Sequence, residues 1–437
     1  MSSAKRKLPA DALSDNNVDR ERLQSLLTIP DPDASADEAA VEQHFQQHFA
    51  RIADALLNRT LLRISDESRG ILPQWFRFLE VEFYLKDQEW HLDPYTHGQP
   101  QQKTRGQWYF HKKGNAYSGG TWKGVDLTFG ETKDTHCVFG GILIRAIECC
   151  ETGEIVEGPS RCVDRLIEVL KAKGVPDLAD GILQKQFEAT GDKAKLALVS
   201  DRTLARLWKE DGGPDGSPNG AAVGKKAKTE LSDTEPDSDP EPEAVAQPPK
   251  LKAAAGDRPS QVLPCKTALG RRLVLGSPRI GLYLRASYSD LDQRIGYVRR
   301  PYRFFSRHQE LKRSKPLTVL ASLRLVRELV NQPSTVRDGQ DGDDTEEDEP
   351  AEQPRPGSLK DVGINIRLKK ADLEYDREPP QALVNSIHRL SNVPTAMVAR
   401  CLASYRQGQG QAAKSFLDDA LGSADSLCRF FGCVGYQ

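Results

Sequence analysis

Glu80-Val81-Glu82-Phe83-Tyr84 decides how the chain folds, because it lies in a segment, Trp75–Tyr84, with the alternation of a strand. In an extended chain, successive side chains point to opposite faces. Glu80, Glu82 and Tyr84 are therefore expected on one face, and Leu79, Val81 and Phe83 on the other. Carboxylates on a largely apolar strand are costly to bury. They lie either on a solvated face or in a pocket that adjusts their pKa for chemistry, and the pattern leaves both interpretations open.

Ionisable and aromatic residues continue beyond this strand. A polar loop carries His91, Asp93 and His97, and short strand-like segments follow at Gln107–His111, Gly124–Phe129 and Val138–Ile147. Strands so close in sequence, with glycines between them, are typical of antiparallel pairing. We therefore predict an α+β fold with a curved, largely antiparallel sheet and flanking helices.

Periodicity and composition divide the chain into segments. Apolar residues spaced by three and four predict helices that begin near Asp37, at Ser160 as the N-terminal cap, and at Leu317. Segments rich in Gly, Pro, Ser, Asp and Glu cannot form a core and predict disorder. We expect a disordered tail at 1–36, one α+β domain at 37–210 and 262–332, a disordered insertion at 211–261, an acidic disordered segment at 333–358, and a helical C-terminal addition at 359–437.

Charge and cysteine content narrow the classes of protein. The net charge of the 437 residues is -2, so the chain as a whole lacks a basic signature, although basic and acidic stretches are well separated. The eight cysteines form no CxxC pair, which is typical of a reducing compartment. No apolar run is long enough to span a membrane, so we expect no membrane partner. Lys5-Arg6-Lys7 is a short nuclear-import candidate.

A series of short motifs occurs along the chain. They are Leu56-Leu57, Glu80-Val81-Glu82-Phe83-Tyr84, His97-Gly98, Arg105-Gly106, Tyr117, Gly141-Ile142-Leu143-Ile144-Arg145-Ala146, Gly158-Pro159-Ser160, Pro278-Arg279-Ile280-Gly281 and Arg300-Pro301-Tyr302-Arg303-Phe304. In this order they resemble the alkyladenine (methylpurine, 3-methyladenine) DNA glycosylase family. The resemblance covers about residues 56–166 and 271–307.

The resemblance implies a fold and an activity. The fold is glycosylase-like, similar to the C-terminal domain of formyltransferases. The activity is that of a monofunctional N-glycosylase of base excision repair, which turns a damaged or alkylated purine nucleotide out of double-stranded DNA and hydrolyses its glycosidic bond. Such a protein is expected to act as a monomer in the nucleus and to need no metal or organic cofactor.

The resemblance also implies roles for individual residues. Glu82 matches the glutamate that activates the attacking water, and Arg145 matches the arginine that helps to hold this water. Tyr84 and His97 match the aromatic walls that stack on the flipped base. Trp122 matches, loosely, the aromatic wedge in the duplex. Because guanidinium groups suit phosphates, we expect DNA contacts from Arg279, Arg299, Arg300 and Arg303.

The sequence departs from the family around Val125–Gly130. Asp126 stands where the family has an apolar residue, and the stretch lacks the asparagine with which the family rejects normal guanine. The spacing from Glu82 to His97 is also longer. Substrate selectivity is therefore open, and a non-catalytic DNA-binding relative on the same fold is an alternative.

Other classes of protein compete for the same residues. Asp126 with Glu131 and Lys133 is similar to the signature of a metal-dependent nuclease. Side chains of metal-ligand type also occur close together, at Glu89, His91, Asp93 and His97. A nucleic-acid-binding or scaffold protein without a pocket would use basic residues alone, among them Arg299, Arg300, Arg303, Arg307, Lys312, Arg313 and Lys315.

Overall fold

The structure is a computed structural model that describes residues 12–191, 193–210, 272–282, 284–285, 287–331, 368–376, 378–411 and 423–434. Lys5–Lys7, the insertion expected at 211–261 and the acidic segment expected at 333–358 lie outside the described residues. Within the described ranges, no helix combines the length and the apolar composition that crossing a membrane requires.

A curled antiparallel sheet is the main element of a mixed α+β fold. Its strands and those of a small hairpin are β1 (Thr60–Asp66), β2 (Ile71–Asp87), β3 (His91–Leu92), β4 (Trp108–Phe110), β5 (Lys112–Lys113), β6 (Ala116–Tyr117), β7 (Val125–Thr128), β8 (Glu131–Thr132), β9 (Cys137–Cys149), β10 (Ile155–Glu157), β11 (Leu196–Ser200), β12 (Leu275–Ser277) and β13 (Arg303–Phe305). The central order is β11-β1-β2-β9-β7-β4, and β13 pairs with both β2 and β12. The predicted α+β class with a curved antiparallel sheet is thereby confirmed.

The pairing of β2 with β9 is irregular around Glu80, where the register between the two strands shifts. Phe78 and Val81 both belong to the main apolar core although they are three residues apart, whereas a regular strand would place them on opposite faces. The register shifts on either side of Glu80, and Leu79 packs in a separate small cluster with Ala146 of β9. The expectation that Leu79 shares a face with Val81 is therefore wrong, because the irregularity moves it to the opposite face.

Helices flank the sheet. In chain order they are α1 (Ala12–Leu27), α2 (Glu38–Arg59), α3 (Pro159–Val169), α4 (Asp201–Glu210), α5 (Leu291–Val298), α6 (Lys315–Asn331), α7 (Gln381–Ser391), α8 (Thr395–Gly408) and α9 (Ala424–Cys433). Asp37 is the N-cap of α2, since its side chain accepts a hydrogen bond from the Ala40 N–H at 2.8 Å. The buried face of α2, including Phe45, Phe49 and Ile52, packs in the main core.

Helix α1 differs from the disordered tail expected for residues 1–36. Leu23 and Leu27 are buried in the main core, and the Gln24 side chain donates a hydrogen bond to the Arg105 carbonyl at 3.4 Å. The segment is polar overall, but two leucines four residues apart meet on one side of a helix. That short apolar stripe is enough to dock α1 on the sheet.

The C-terminal helices share a second apolar core with α5 and α6. This core includes Leu291, Leu320, Leu383, Val398, Cys401 and Phe431. Helices are present where a helical addition was expected, but they are continuous with the preceding domain because α6 packs against β12 as well as α7 and α8. Helices α8 and α9 meet backbone to backbone, since a Cβ at Gly408 would collide with the Arg429 carbonyl and one at Gly432 with the Tyr405 carbonyl.

Candidate active site

Glu82 is fully buried, and hydrogen-bond donors surround its carboxylate. Oε1 accepts a hydrogen bond from the backbone N–H of Ile280 at 2.7 Å. Oε2 accepts from the Tyr84 hydroxyl at 2.9 Å and from Arg145 Nη1 at 3.1 Å. A carboxylate offers about four acceptor positions. Three are filled here, so Glu82 retains capacity for one further donor, such as a water molecule.

Glu80 lies beside Glu82 and is held by two arginines. Its Oε1 accepts hydrogen bonds from Arg303 Nε at 2.7 Å and from Arg145 Nε at 3.0 Å. Burial by itself raises the pKa of Glu80, but the charges of Arg303 and Arg145 outweigh it and hold this pKa below its ordinary value. Arg145 thus bridges the side chains of Glu80 and Glu82.

Tyr84 is a half-buried ring next to this carboxylate pair. Burial, and then the charge of Glu82, raise the pKa of Tyr84 well above its ordinary value, so its hydroxyl keeps the proton that it donates to Glu82. The guanidinium carbon of Arg279 lies 4.6 Å from the ring centroid. Arg279 therefore supports the tyrosine ring that was predicted to face a flipped base.

A second polar group lies on β4, on β7 and in the segments on either side of β4. His111 Nε2 is 2.7 Å from Asp126 Oδ1, and Gln102 Nε2 is 3.4 Å from Asp126 Oδ2. The His97 ring lies edge to face with the His111 ring, with centroids 4.5 Å apart, and its Nδ1 is 3.4 Å from the Tyr109 hydroxyl. The His97 residue is exposed at the surface, yet its pKa is lowered. The larger cause is desolvation of the ring, and the second is the charge of the neighbouring His111.

Tyr109 and His111 were not among the residues predicted for the site. The usable signal was their spacing of two on a strand, the same spacing that singled out Glu80 and Glu82. Trp108 and Phe110, which alternate with them, are buried in the main core. Alternation therefore puts Tyr109 and His111 on the face opposite this core.

The two polar groups share one face of the sheet. Pairing sets Tyr109, Asp126, Leu143, Glu82 and Arg303 opposite one another across five strands. Directly opposed residues share a face, so two strand spacings of about 4.8 Å place the backbones of Asp126 and Glu82 about 10 Å apart. In the next row Gly141 leaves room for Asp126, whose Oδ2 would lie 2.6 Å from a Cβ at this glycine.

An exposed tryptophan stands on a loop tied to the site. Trp122 is 72% exposed. Its loop is fixed by a hydrogen bond from the Ser160 hydroxyl to the Gly120 carbonyl at 2.9 Å. Ser160 is thus not the helix cap that was predicted; the N-cap of α3 is Gly158, whose N–H donates to the Arg145 carbonyl at 2.7 Å.

Basic side chains lie next to this loop. Arg313 approaches Gly158, where a Cβ would lie 3.2 Å from Arg313 Nη1. Lys312 and Arg313 are exposed, and their backbone N–H groups donate hydrogen bonds to the Glu157 carboxylate at 2.9 to 3.0 Å. The surface formed by Trp122, Lys312 and Arg313 therefore combines an exposed aromatic ring with exposed positive charge.

The four arginines expected to contact DNA differ in exposure. Arg279 and Arg303 have fully buried side chains, paired with Asp93 and Glu80 respectively. Neither guanidinium reaches the surface, which is unfavourable for the phosphate contacts expected of them. Arg300 is also buried, 4.0 Å from the Tyr297 ring centroid, whereas Arg299 is exposed and lies 3.7 Å from Glu42.

The residues of the nuclease alternative do not converge. Asp126 pairs with His111, Glu131 pairs with Arg105, and Lys133 pairs with Asp31. Of the loop residues with metal-ligand side chains, Asp93 pairs with Arg279 and His91 Nε2 is 2.8 Å from the Tyr302 hydroxyl. Among the described residues, no group of three or more His, Cys, Asp or Glu side chains is arranged to hold a metal ion.

Comparison with known proteins gives one informative similarity. No family model matches the chain. The chain is similar to the protein named "Uncharacterized protein L759" from Acanthamoeba polyphaga mimivirus, with 35% identity over 154 residues. The matched region covers 33% of this chain and 67% of the viral protein.

Proposed function

The chain belongs to one family with the mimivirus protein L759, whose name states no activity, and we propose from the site geometry that it is a DNA N-glycosylase. It hydrolyses the bond between a purine and its sugar after the nucleotide is turned out of the duplex. The observation that carries the proposal is the buried Glu82 carboxylate, oriented by Ile280, Tyr84 and Arg145 with one acceptor position to spare. This is what a group that receives a proton from an attacking water requires.

Glu82 acts on the water that attacks C1′ of the sugar. As the glycosidic bond breaks, positive charge develops on the sugar, and a nearby carboxylate stabilises it. The water occupies the remaining acceptor position of Glu82 and gives up its proton there. Arg145, fixed between Glu82 and Glu80, keeps the carboxylate in one orientation.

The base lies between Tyr84 and His97. The first ring is supported from behind by Arg279, and the second by Tyr109 and His111. Stacking on an aromatic ring stabilises a bound base by about 1–3 kcal/mol per contact, whichever base it is. The two rings thus retain a flipped purine in front of Glu82.

Trp122 and the neighbouring basic side chains contact the duplex. An exposed aromatic ring can enter the space that the flipped nucleotide vacates. Lys312 and Arg313 are exposed beside it and neutralise phosphates, a role for which the buried Arg279 and Arg303 are unsuited. We therefore propose double-stranded DNA as the substrate and, because DNA is the substrate, a nuclear location.

The test is release of hypoxanthine, ethenoadenine and methylated purines from labelled duplex and single-stranded oligonucleotides, with chelator present. We expect abasic product from the wild type, and about 10²- to 10⁴-fold slower release by Glu82→Gln, because the water loses its proton acceptor. Glu131→Gln is the control, since Glu131 pairs with Arg105 away from Glu82 and is essential only in the nuclease alternative.

Two results would contradict the proposal. Strand cleavage that needs a metal ion and is lost in Glu131→Gln would identify a nuclease. Salt-sensitive DNA binding without release of any base would identify a binding protein on this fold.

A further inference from the structure

A polar cleft lies between α1, the segment before β4, strand β8 and the segment before β11. The charged residues that line it are Arg20, Lys103, Arg105, Glu131 and Glu188. Its volume is about 420 Å³, which falls within the range of roughly 300–1,000 Å³ that is usual for small-molecule sites. Of the described residues, none of those grouped around Glu82 and Asp126 lines this cleft, so it is separate from the candidate active site.

The lining of the cleft is hydrophilic throughout. Every described residue that lines it is charged, an amide, a threonine or a glycine. Small-molecule sites are usually lined mainly by apolar and aromatic side chains, with only a few polar groups. A ligand of this cleft is therefore expected to be polar over its whole surface, as a sugar is, because a purine or pyrimidine base would find no aromatic ring to stack on among these residues.

Two ion pairs form part of the lining. Arg20 Nη2 lies 3.2 Å from Glu188 Oε1 and joins α1 to the segment before β11. Arg105 Nη2 donates a hydrogen bond to Glu131, and Arg105 Nη1 donates to Thr28 Oγ1 at 3.0 Å. A carboxylate offers about four acceptor positions. Both glutamates therefore keep acceptor positions for the hydroxyl groups of a ligand.

Positive charge in the cleft exceeds negative charge. Lys103 is its third cation, and among the described residues no carboxylate pairs with this lysine, whose Nζ lies 5.2 Å from the Phe139 ring centroid. Arg105 Nε is buried and has no hydrogen-bond partner in the same ranges. Desolvation also lowers the pKa of Arg105, and a bound anion would offset this effect. The two side chains therefore suit one phosphate group.

A small phosphorylated molecule suits this cleft better than the backbone of a duplex does. Binding to a duplex is driven by many basic side chains that neutralise phosphates along its surface. Here three cations stand with two carboxylates, and two of the cations are already paired with them. The excess of a single positive charge in a concave site matches one phosphate group on a polar molecule.

We propose that this cleft binds a sugar phosphate, whose phosphate group lies between Lys103 and Arg105. The sugar hydroxyls donate hydrogen bonds to Glu131 and Glu188. Because α1 supplies one wall of the cleft, the bound molecule also holds this helix against the sheet. The site is independent of the proposed glycosylase function, since it shares no residue with the groups around Glu82 and Asp126.

The test is isothermal titration calorimetry of the full chain with ribose 5-phosphate, inorganic phosphate and ribose. We expect saturable binding of ribose 5-phosphate at one site, weaker binding of inorganic phosphate, and no measurable binding of ribose at the same concentrations. Lys103→Gln keeps the length of the side chain but removes its charge. It should weaken the binding of ribose 5-phosphate about 10- to 100-fold, because a hydrogen bond to a charged group is lost.

Lys112→Gln is the matched control. Lys112 Nζ also lies over an aromatic ring, 4.7 Å from the Tyr117 centroid, and this lysine is half-buried as Lys103 is, but it is not among the described residues that line the cleft. The control should bind ribose 5-phosphate as tightly as the wild type does. Equal melting temperatures of the two variants without ligand establish that Lys103→Gln is folded.

Hydrogen exchange of the wild type locates the site without any substitution. Ribose 5-phosphate should slow the exchange of backbone amides in residues 20–27 of α1 and in residues 103–107, because the ligand bridges these two segments. Ribose should leave both segments unchanged.

Three results would overturn the proposal. One is the absence of saturable binding of ribose 5-phosphate, and another is binding that leaves the exchange of residues 20–27 and 103–107 unchanged. The third is displacement of ribose 5-phosphate by an undamaged DNA duplex, with Lys103→Gln weakening the binding of both, which would assign the phosphate contact to DNA. Release of damaged bases is measured separately, so none of these results bears on the role of Glu82.

Discussion

The two carboxylate groups on the site face differ in what surrounds them. Glu80 and Glu82 are held by the permanently charged guanidinium groups of Arg145 and Arg303. Asp126 has a histidine and a glutamine as its partners. An arginine keeps its proton throughout the physiological range, whereas a histidine exchanges its proton within it. The first group is therefore held by permanent positive charges, and the second by an imidazole and an amide.

This difference teaches how a single sheet face can hold carboxylates in two ways. A fixed ion pair in a dry site needs matched charges, which the first group obtains from distant parts of the chain. Leu79 and Ala146 pack in a small apolar cluster next to this irregular pairing. The second group lies nearer the surface, since His111 is only half-buried.

The largest effect expected from breaking the comparison is on stability. Glu80→Gln leaves the fully buried Arg303 without its ionised partner and should lower the free energy of unfolding by about 3–5 kcal/mol. Asp126→Asn keeps hydrogen-bonding atoms next to His111 and Gln102 and should cost about 1 kcal/mol. Urea unfolding followed by circular dichroism measures both. Equal losses of unfolding free energy in the two variants would mean that both carboxylate groups depend on charge to the same extent.

The dependence of stability on pH sharpens the same contrast. The pKa of Glu80 is lowered from its usual 4.5 in the folded state, because Arg303 and Arg145 outweigh the effect of burial. Its contribution to stability is therefore fully present above the usual value and disappears as the pH falls through the lower, folded-state value. As the pH is lowered from 6 through the folded-state pKa of Glu80, the free energy of unfolding should decline less steeply in Glu80→Gln than in the wild type. Parallel curves would contradict the ion-pair assignment.

The smallest effect is expected at the exposed basic residues Lys312 and Arg313. Arg313→Ala removes one exposed phosphate contact, so DNA affinity should fall by about 1 kcal/mol and the slope of log K against log salt should decrease by about 1. Arg202, exposed next to β11 at the far edge of the sheet, provides the control substitution. A titration by fluorescence anisotropy at several salt concentrations distinguishes them, and equal slopes would remove Arg313 from the interface.

Local patterns sufficed for the antiparallel sheet and for the meeting of Glu82 with Tyr84. Alternation within one strand places these two side chains on one face, and they are hydrogen-bonded at 2.9 Å. The irregularity at Glu80 could not be foreseen, because it depends on the pairing of β2 with β9. Residue Leu79 is consequently on the other face from the one that simple alternation predicts.

Long-range pairing explains the remaining differences. A segment with several arginines is typical of an exposed phosphate-binding surface, yet Arg279 and Arg303 are neutralised by Asp93 and Glu80, which lie 186 and 223 residues away in sequence. Composition likewise predicted a disordered tail where Leu23 and Leu27 dock on the core. Charge partners and docking surfaces that are remote in sequence leave no local signature.

The 223 residues between Glu80 and Arg303 also set an order of events during synthesis. At roughly 5–20 residues per second, the arginine is added about 10–45 s after the glutamate. Until then the strand exposes carboxylates whose burial would be costly without their partners. The ribosome-bound chain therefore cannot complete this face of the sheet early. The buried ion pair with Glu80 forms only after Arg303 has been added, when most of the protein has been made.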